Sequence, residues 1–86
     1  MNRQNLAATM LREFDELLYP TLQNRYHFRK ALSGSCWYLT CQRSGAIYSL
    51  IYDGEPPDWR VGSVTGLETV RQSIETEVKQ LCPMNS

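Results

Sequence analysis

The stretch that decides the fold runs from residue 25 to residue 52 and reads RYHFRKALSGSCWYLTCQRSGAIYSLIY. It contains three runs rich in aromatic and β-branched residues, which favour β-strands. Ser33-Gly34 and Ser44-Gly45 separate the runs, and glycine supplies the backbone conformation that tight hairpin turns need. The pattern therefore predicts two consecutive hairpins. Their strands are predicted at about 25–32, 36–42 and 46–52.

Two-residue turns at both positions would fix the register of the sheet. In the first hairpin Phe28 would then face Leu39, and in the second Arg43 would pair with Ala46 and Leu39 would face Leu50. Both registers place the apolar residues on one face, because side chains alternate between the two faces of a strand. This predicted apolar face consists of Tyr26, Phe28, Trp37, Leu39, Cys41, Tyr48, Leu50 and Tyr52.

A helix is predicted before the strands, over about residues 5–18. Apolar residues recur there at helical spacing and form one stripe. Asn5 is the expected N-cap, and Pro20 is expected to end the helix because it disfavours the helical conformation in Tyr19. The stripe consists of Leu6, Met10, Phe14, Leu17 and Leu18.

A second helix is predicted after the strands, over about residues 66–82. Thr65 and Glu68 have the spacing of a capping box, and Glu75 precedes Lys79 by four residues, as in a helical ion pair. A further strand at about 59–64 adds Trp59 and Val61 to the apolar face. The apolar stripe of this helix consists of Leu67, Val70, Ile74, Val78 and Leu81.

These elements predict one α+β domain over residues 1–86. The expected order is an N-terminal helix, a four-stranded antiparallel β-meander and a C-terminal helix. Both helices are expected on one face of the sheet, which gives a two-layer sandwich. Lys30 lies at the end of the apolar face, where its stem would follow Trp37 while its ammonium reaches water.

The amino-acid composition limits the kinds of function that the chain can have. Nine basic and nine acidic residues give zero net charge, which argues against strong non-specific binding to nucleic acid or membranes. The stretch from Arg25 to Arg43 is nevertheless basic and contains no acid. The three cysteines and the lack of an apolar leader or a membrane-length apolar run predict free thiols and a cytoplasmic location.

No second layer is predicted for the opposite face of the sheet, which makes it the candidate partner-binding surface. The predicted rows across this face are Arg25–Gln42–Ile47, His27–Thr40–Ser49 and Arg29–Tyr38–Ile51. Arginine and tyrosine are enriched in protein interfaces, and isoleucine adds apolar area. The candidate binding residues are Arg25, His27, Arg29, Tyr38, Ile47 and Ile51. A solvated sheet face is the ordinary alternative.

Catalytic, metal and cofactor chemistry finds little support in the sequence. His27 is the single histidine, and the register supplies it with Thr40 but no orienting carboxylate. Cys36 and Cys41 are five residues apart on one strand and point to opposite faces, so they cannot share a metal ion. No phosphate-loop or dinucleotide motif occurs. The chain is therefore expected to be no enzyme and to hold no metal or cofactor.

Three functions follow from the uncovered face, in order of preference. The first is a small cytoplasmic protein-binding or adaptor domain, which engages a protein partner or a second copy of itself as a homodimer. The alternative is single-stranded nucleic-acid binding, with Tyr38 stacking on a base, which the neutral charge disfavours. A second alternative is a small hydrolase that uses His27.

Overall fold

The computed structural model describes residues 3–32 and 34–83. The strands form one antiparallel sheet in the order β1-β2-β3-β4, so the predicted α+β meander is confirmed. No helix in these ranges is long and apolar enough to cross a membrane. The elements are α1 (Arg3–Glu13), a π-helical turn (Phe14–Leu18), α2 (Tyr19–Leu22), β1 (Tyr26–Lys30), β2 (Cys36–Cys41), β3 (Ile47–Asp53), β4 (Asp58–Ser63) and α3 (Glu68–Leu81).

The N-terminal helix differs from the prediction at both ends. It is already helical at Arg3, so Asn5 lies inside it and is not the N-cap. Pro20 does not end it either. The backbone N–H of Tyr19 donates to the carbonyl of Phe14, and this wide turn accommodates a proline that lacks an N–H and crowds the preceding turn. The helix continues to Leu22, which adds a fully buried side chain to the core.

The first hairpin has the predicted register. Phe28 pairs with Leu39 and Lys30 with Trp37. Ser33, which belongs to the predicted turn, lies outside the described residues. The ammonium of Lys30 lies 4.9 Å from the centre of the Trp37 ring, as the sequence predicted, and it also donates to the carbonyl of Gly34 (2.7 Å).

The register of the second hairpin is shifted by two residues from the prediction. Leu39 faces Tyr48 rather than Leu50. The predicted pairing of Arg43 with Ala46 is wrong, because the N–H of Cys41 donates to the carbonyl of Ala46 (2.8 Å) and the connection has four residues. A shift of two returns every side chain to the same face, so the predicted apolar face survives.

The core lies between this face and the helices. Trp37 stacks on Phe14 of the N-terminal helix, with ring centres 4.2 Å apart and planes within 10°. Phe28 and Cys41 are half-buried against the core, and the other predicted apolar-face residues are buried, as are Trp59 and Val61. The helical layer contributes Met10, Phe14, Leu18, Leu22, Ile74, Val78 and Cys82.

The start of α3 is not the predicted capping box. Leu67 is the N-cap residue, and no side chain caps the helix. The hydroxyl of Thr65 instead accepts the backbone N–H of Ile47 (2.9 Å), so it fastens the loop to β3. Glu68 pairs with Arg71 (2.9 Å) rather than reaching back to Thr65.

The predicted Glu75–Lys79 pair is also wrong, since both side chains turn toward β4. Lys79 pairs with Asp58 at the start of β4 (2.8 Å), and Glu75 pairs with Arg71 (3.0 Å). The charged residues of α3 therefore do both: Arg71 pairs within the helix with Glu68 and Glu75, and Lys79 joins the helix to the neighbouring strand.

The residue at position 66 must be glycine because the backbone there lies against the ring of Tyr48. A side-chain carbon at this position would overlap the ring of Tyr48, which is 2% exposed and packed in the core. We expect Gly66→Ala to lower the free energy of unfolding by about 1–3 kcal/mol, because the rigid ring cannot move aside. Chemical denaturation measures this loss. Gly34→Ala is the matched control and should change stability by less than about 0.5 kcal/mol, since Gly34 has open space around it. Equal stability of the two variants would contradict the packing described.

Candidate functional site

The open face is the side of the sheet away from the helices. Among the described residues no helix lies on it, and its side chains are half-buried or exposed. The predicted pairs across β1 and β2 are confirmed, but the two-residue shift moves every β3 residue along by one row. The observed rows are His27–Thr40–Ile47, Arg29–Tyr38–Ser49–Gly62 and Cys36–Ile51–Arg60.

Arg29 and Tyr38 form the most specific contact on the open face. They pair directly across β1 and β2, and the guanidinium carbon lies 5.5 Å from the centre of the tyrosine ring. No carboxylate pairs with Arg29 in the described parts of the chain. The pair therefore presents an uncompensated cation on an aromatic platform, with the hydroxyl of Tyr38 at its end.

Arg25 differs from the other candidate residues because its charge is already paired with a carboxylate of α3. It precedes β1, and Nη2 donates to Oε2 of Glu77 on α3 (2.7 Å). The hydrogen bond to Glu77 raises the pKa of Arg25, against the opposing effect of partial burial. The side chain thus joins β1 to the helical layer and contributes only the margin of the open face.

The centre of the open face is shallow because two small residues meet there. Gly62 pairs with Ser49, and a Cβ at Gly62 would lie 2.6 Å from the hydroxyl oxygen of Ser49. The two strands therefore approach closely at Gly62, which leaves no room for a larger side chain. Tyr38 of β2 pairs with Ser49, and Ile47 and Ile51 of β3 lie in the rows on either side of this pair.

His27 lies on the same face but without catalytic partners. It is exposed and pairs with Thr40, with Ile47 next in the row. Asp53 lies six residues beyond Ile47 on β3, which is about 20 Å at the rise of a strand, and it pairs with Arg60 (3.0 Å). Within the described residues, no group of three His, Cys, Asp or Glu side chains could hold a metal ion.

The outer edge of β4 is closed by α3. The backbone N–H of Val61 donates to Oε2 of Glu75 (3.0 Å), and Nη1 of Arg71 donates to the carbonyl of Val61 (3.0 Å). The two side chains thus occupy both backbone groups of Val61, at the middle of the edge that a further strand would use. Burial acts to raise the pKa of Glu75, but the hydrogen bond from Val61 and the pairing with Arg71 outweigh it and lower that pKa.

Removal of the contact between Glu75 and Val61 should lower the stability of the fold by a measurable amount. We expect Glu75→Ala to lower the free energy of unfolding by about 1–3 kcal/mol, because the N–H of the buried Val61 loses its acceptor. Gln80→Ala, at an exposed position of α3, is the control and should change it by less than about 0.5 kcal/mol. Urea denaturation of both variants provides the comparison, and equal midpoints would show that the contact contributes nothing.

Two cysteines have opposite environments. Cys41 is half-buried at the second hairpin, where a hydrogen bond from the Ser44 hydroxyl lowers its pKa, with help from the backbone N–H groups of Ser44 and Arg43. Cys82 is buried at the end of α3, where burial raises its pKa to about 12 and the nearby carboxylate of Glu13 adds to the effect.

These environments predict the order of thiol reactivity. The thiolate is the reactive form, so a lowered pKa makes more of Cys41 reactive near pH 8, whereas Cys82 stays protonated until the pH approaches its pKa of about 12. Iodoacetamide should therefore modify Cys41 well before Cys82, as followed by mass spectrometry of peptides. Ser44→Ala should slow the modification of Cys41 and leave Cys82 unchanged. Faster modification of Cys82 would contradict the structure.

Comparisons of the chain with protein-family models, with curated proteins and with solved structures found no match. The chemistry of the open face and of the two sheet edges is therefore the basis for proposing a function. The features found only in the structure are the Arg25–Glu77 pair and the closure of β4 by Arg71 and Glu75. Each joins residues that are at least ten positions apart, so local sequence patterns give no signal for them.

Proposed function

We propose that this chain is a small protein-binding domain, an adaptor that engages a protein partner through the open face. The observation that carries this proposal is the Arg29–Tyr38 pair, which in the described part of the chain lies on a face without a covering helix and has no carboxylate paired with it. Arginine and tyrosine give large contact areas and directional hydrogen bonds, which is why they recur at the energetic centres of protein interfaces.

The surroundings of the pair support a protein ligand. Ile47 and Ile51 are half-buried and offer apolar contact area in the rows on either side. Ser49 and Gly62 have small side chains, so a partner can approach the sheet closely at the centre of the face. Exposed and half-buried polar groups around it, such as His27 and Thr40, resemble the mixed rim of a transient interface rather than the apolar surface of an obligate one.

The two alternatives fit this geometry less well. A nucleic-acid base would stack on Tyr38, but Arg29 already lies over that ring, and the net charge of the chain is zero. A hydrolase would need an acid to orient His27, and Asp53 lies at the far end of β3, where it pairs with Arg60. A homodimer formed through the open face is one version of the protein-binding proposal.

Site-directed photocrosslinking tests the proposal in the native cells. A benzoylphenylalanine in place of Tyr38 should give a discrete protein adduct, because it keeps the aromatic platform at the centre of the face. The same group in place of Gln72, an exposed residue of α3, is the control and should give no such adduct. Mass spectrometry identifies the partner, and an adduct of two identical chains would establish the homodimer version.

Two variants test whether Arg29 and Tyr38 are the residues that bind the partner. Arg29→Ala combined with Tyr38→Ala should abolish the interaction in a binding assay with the purified partner, while the melting temperature stays close to that of the parent because both side chains are only half-buried or exposed. Arg12→Ala, an exposed cation of α1, should leave binding intact. Crosslinks to nucleic acid alone, or equal adducts from positions 38 and 72, would overturn the proposal.

A further inference from the structure

The two edges of the sheet are not equivalent. Side chains of α3 close the edge of β4 at Val61, as described above. On β1, the N–H of Gln42 donates to the carbonyl of Arg25 (3.0 Å) and the N–H of Ala31 donates to the carbonyl of Cys36 (2.9 Å). Antiparallel strands alternate inward and outward backbone groups, so Tyr26, Phe28 and Lys30 turn theirs away from β2.

Only the second half of this edge is open. Tyr26 is buried, which shields its end of the strand, whereas Phe28 is half-buried and Lys30 is exposed. In the described residues no group hydrogen-bonds to the backbone of Phe28, and only the Lys30 side chain, not its backbone, has a partner. Leu32, just beyond the strand, is fully exposed. The open edge is therefore the segment from Phe28 to Leu32.

A groove lies beside the open edge on the side of the open face. Its volume is about 560 Å³, and it is lined by Arg29, Lys30, Ala31, Leu32 and Tyr38. The lining combines the cation of Arg29, the ring of Tyr38 and an exposed leucine, while the ammonium of Lys30 lies over Trp37 on the other side of the strand. Such a groove suits a ligand that carries both negative charge and apolar side chains along an extended backbone.

The charges at the open edge indicate which kind of extended segment would bind there. Arg25, Arg60, Arg71 and Lys79 each pair with a carboxylate. Arg29 and Lys30 do not, within the described residues, and they occupy adjacent positions of β1 whose side chains point to opposite faces of the sheet. A second copy of β1 would bring like charges together across the new pairing, which destabilises a strand pair. A run of acidic residues would be complementary.

We infer that the open edge of β1 binds an extended acidic segment of a partner protein by strand addition. Backbone groups of the segment pair with those of Phe28 and Lys30, successive carboxylates reach Arg29 on one face and Lys30 on the other, and an apolar side chain contacts Leu32. This inference rests on the proposed function and names the partner segment for it. The closure of β4 leaves β1 as the edge available for such pairing.

The test is a titration of the ¹⁵N-labelled full chain with the peptide Val-Glu-Glu-Thr-Glu-Glu-Val, whose adjacent glutamates point to opposite faces of an extended strand. Binding should slow hydrogen exchange at the amides of Phe28 and Lys30, whose N–H groups gain acceptors, and should weaken as salt is added. A peptide with proline in place of valine and threonine keeps the charge but loses the backbone donors. It should therefore fail to protect these amides. Equal protection by the proline peptide would overturn strand addition.

Variants separate this site from charge elsewhere on the chain. Arg29→Gln combined with Lys30→Gln should weaken the acidic peptide by about tenfold or more, since each lost charge-assisted contact contributes on the order of a kcal/mol. Arg12→Gln should leave the affinity unchanged. Preferential binding of a lysine-containing peptide or of an oligo(dT) strand, or protection of the same amides by self-association, would overturn the inference.

The outcome is distinguishable from that of the proposed function. A partner adduct at position 38 without protection of Phe28 and Lys30 by the acidic peptide would leave the open face as the binding surface and remove the edge. Protection of these amides without any adduct at position 38 would support the open edge as the binding site and remove the open face.

Discussion

The contact between Trp37 and Phe14 holds the two layers together, and most of the remaining structure depends on it. The stacked rings join β2 to the N-terminal helix, and Trp37 also approaches Trp59 of β4 at 5.7 Å between ring centres. Aromatic side chains bury large areas and prefer defined ring geometries, so this cluster determines which side of the sheet the helices cover. With both helices engaged there, the opposite side of the sheet is left to solvent or to a partner.

The sequence predicts the two faces well and the details of the connections poorly. The faces depend on the alternation of side chains along a strand, which tolerates a shift of two residues, so the apolar face was correct even though Leu39 faces Tyr48 and not Leu50. The Ser44-Gly45 pair predicts a two-residue turn because glycine permits such a turn. The structure closes the loop from Cys41 to Ala46 instead, with Gly45 at φ 79°, and no local pattern distinguishes the two lengths.

The polar groups were harder to predict because their partners are distant in sequence. Pro20 is an ordinary helix stop by local rules, yet packing of Leu22 against the core favours continuing the helix past it through a π-helical turn. Thr65 has the spacing of a helix cap, but it bonds to Ile47 because the loop crosses the ring of Tyr48 beside Gly66. In both cases a tertiary contact outweighs a local preference of about 1 to 3 kcal/mol.

The asymmetry between the sheet edges follows from the order of the elements. A short connection joins β4 to α3, so the helix packs along the last strand and its side chains reach the backbone of Val61. The N-terminal helix precedes β1 in the chain, and its Phe14 packs against Phe28 of β1 and stacks on Trp37 of β2. Among the described residues, no strand pairs with the outer side of β1. The same topology draws the cations of α3 and β4 into ion pairs and leaves Arg29 and Lys30 unmatched. Within the described residues, a chain with zero net charge thereby has one strand edge that is both unpaired in its backbone and locally basic, and these two properties are the basis of the acidic partner proposed for it.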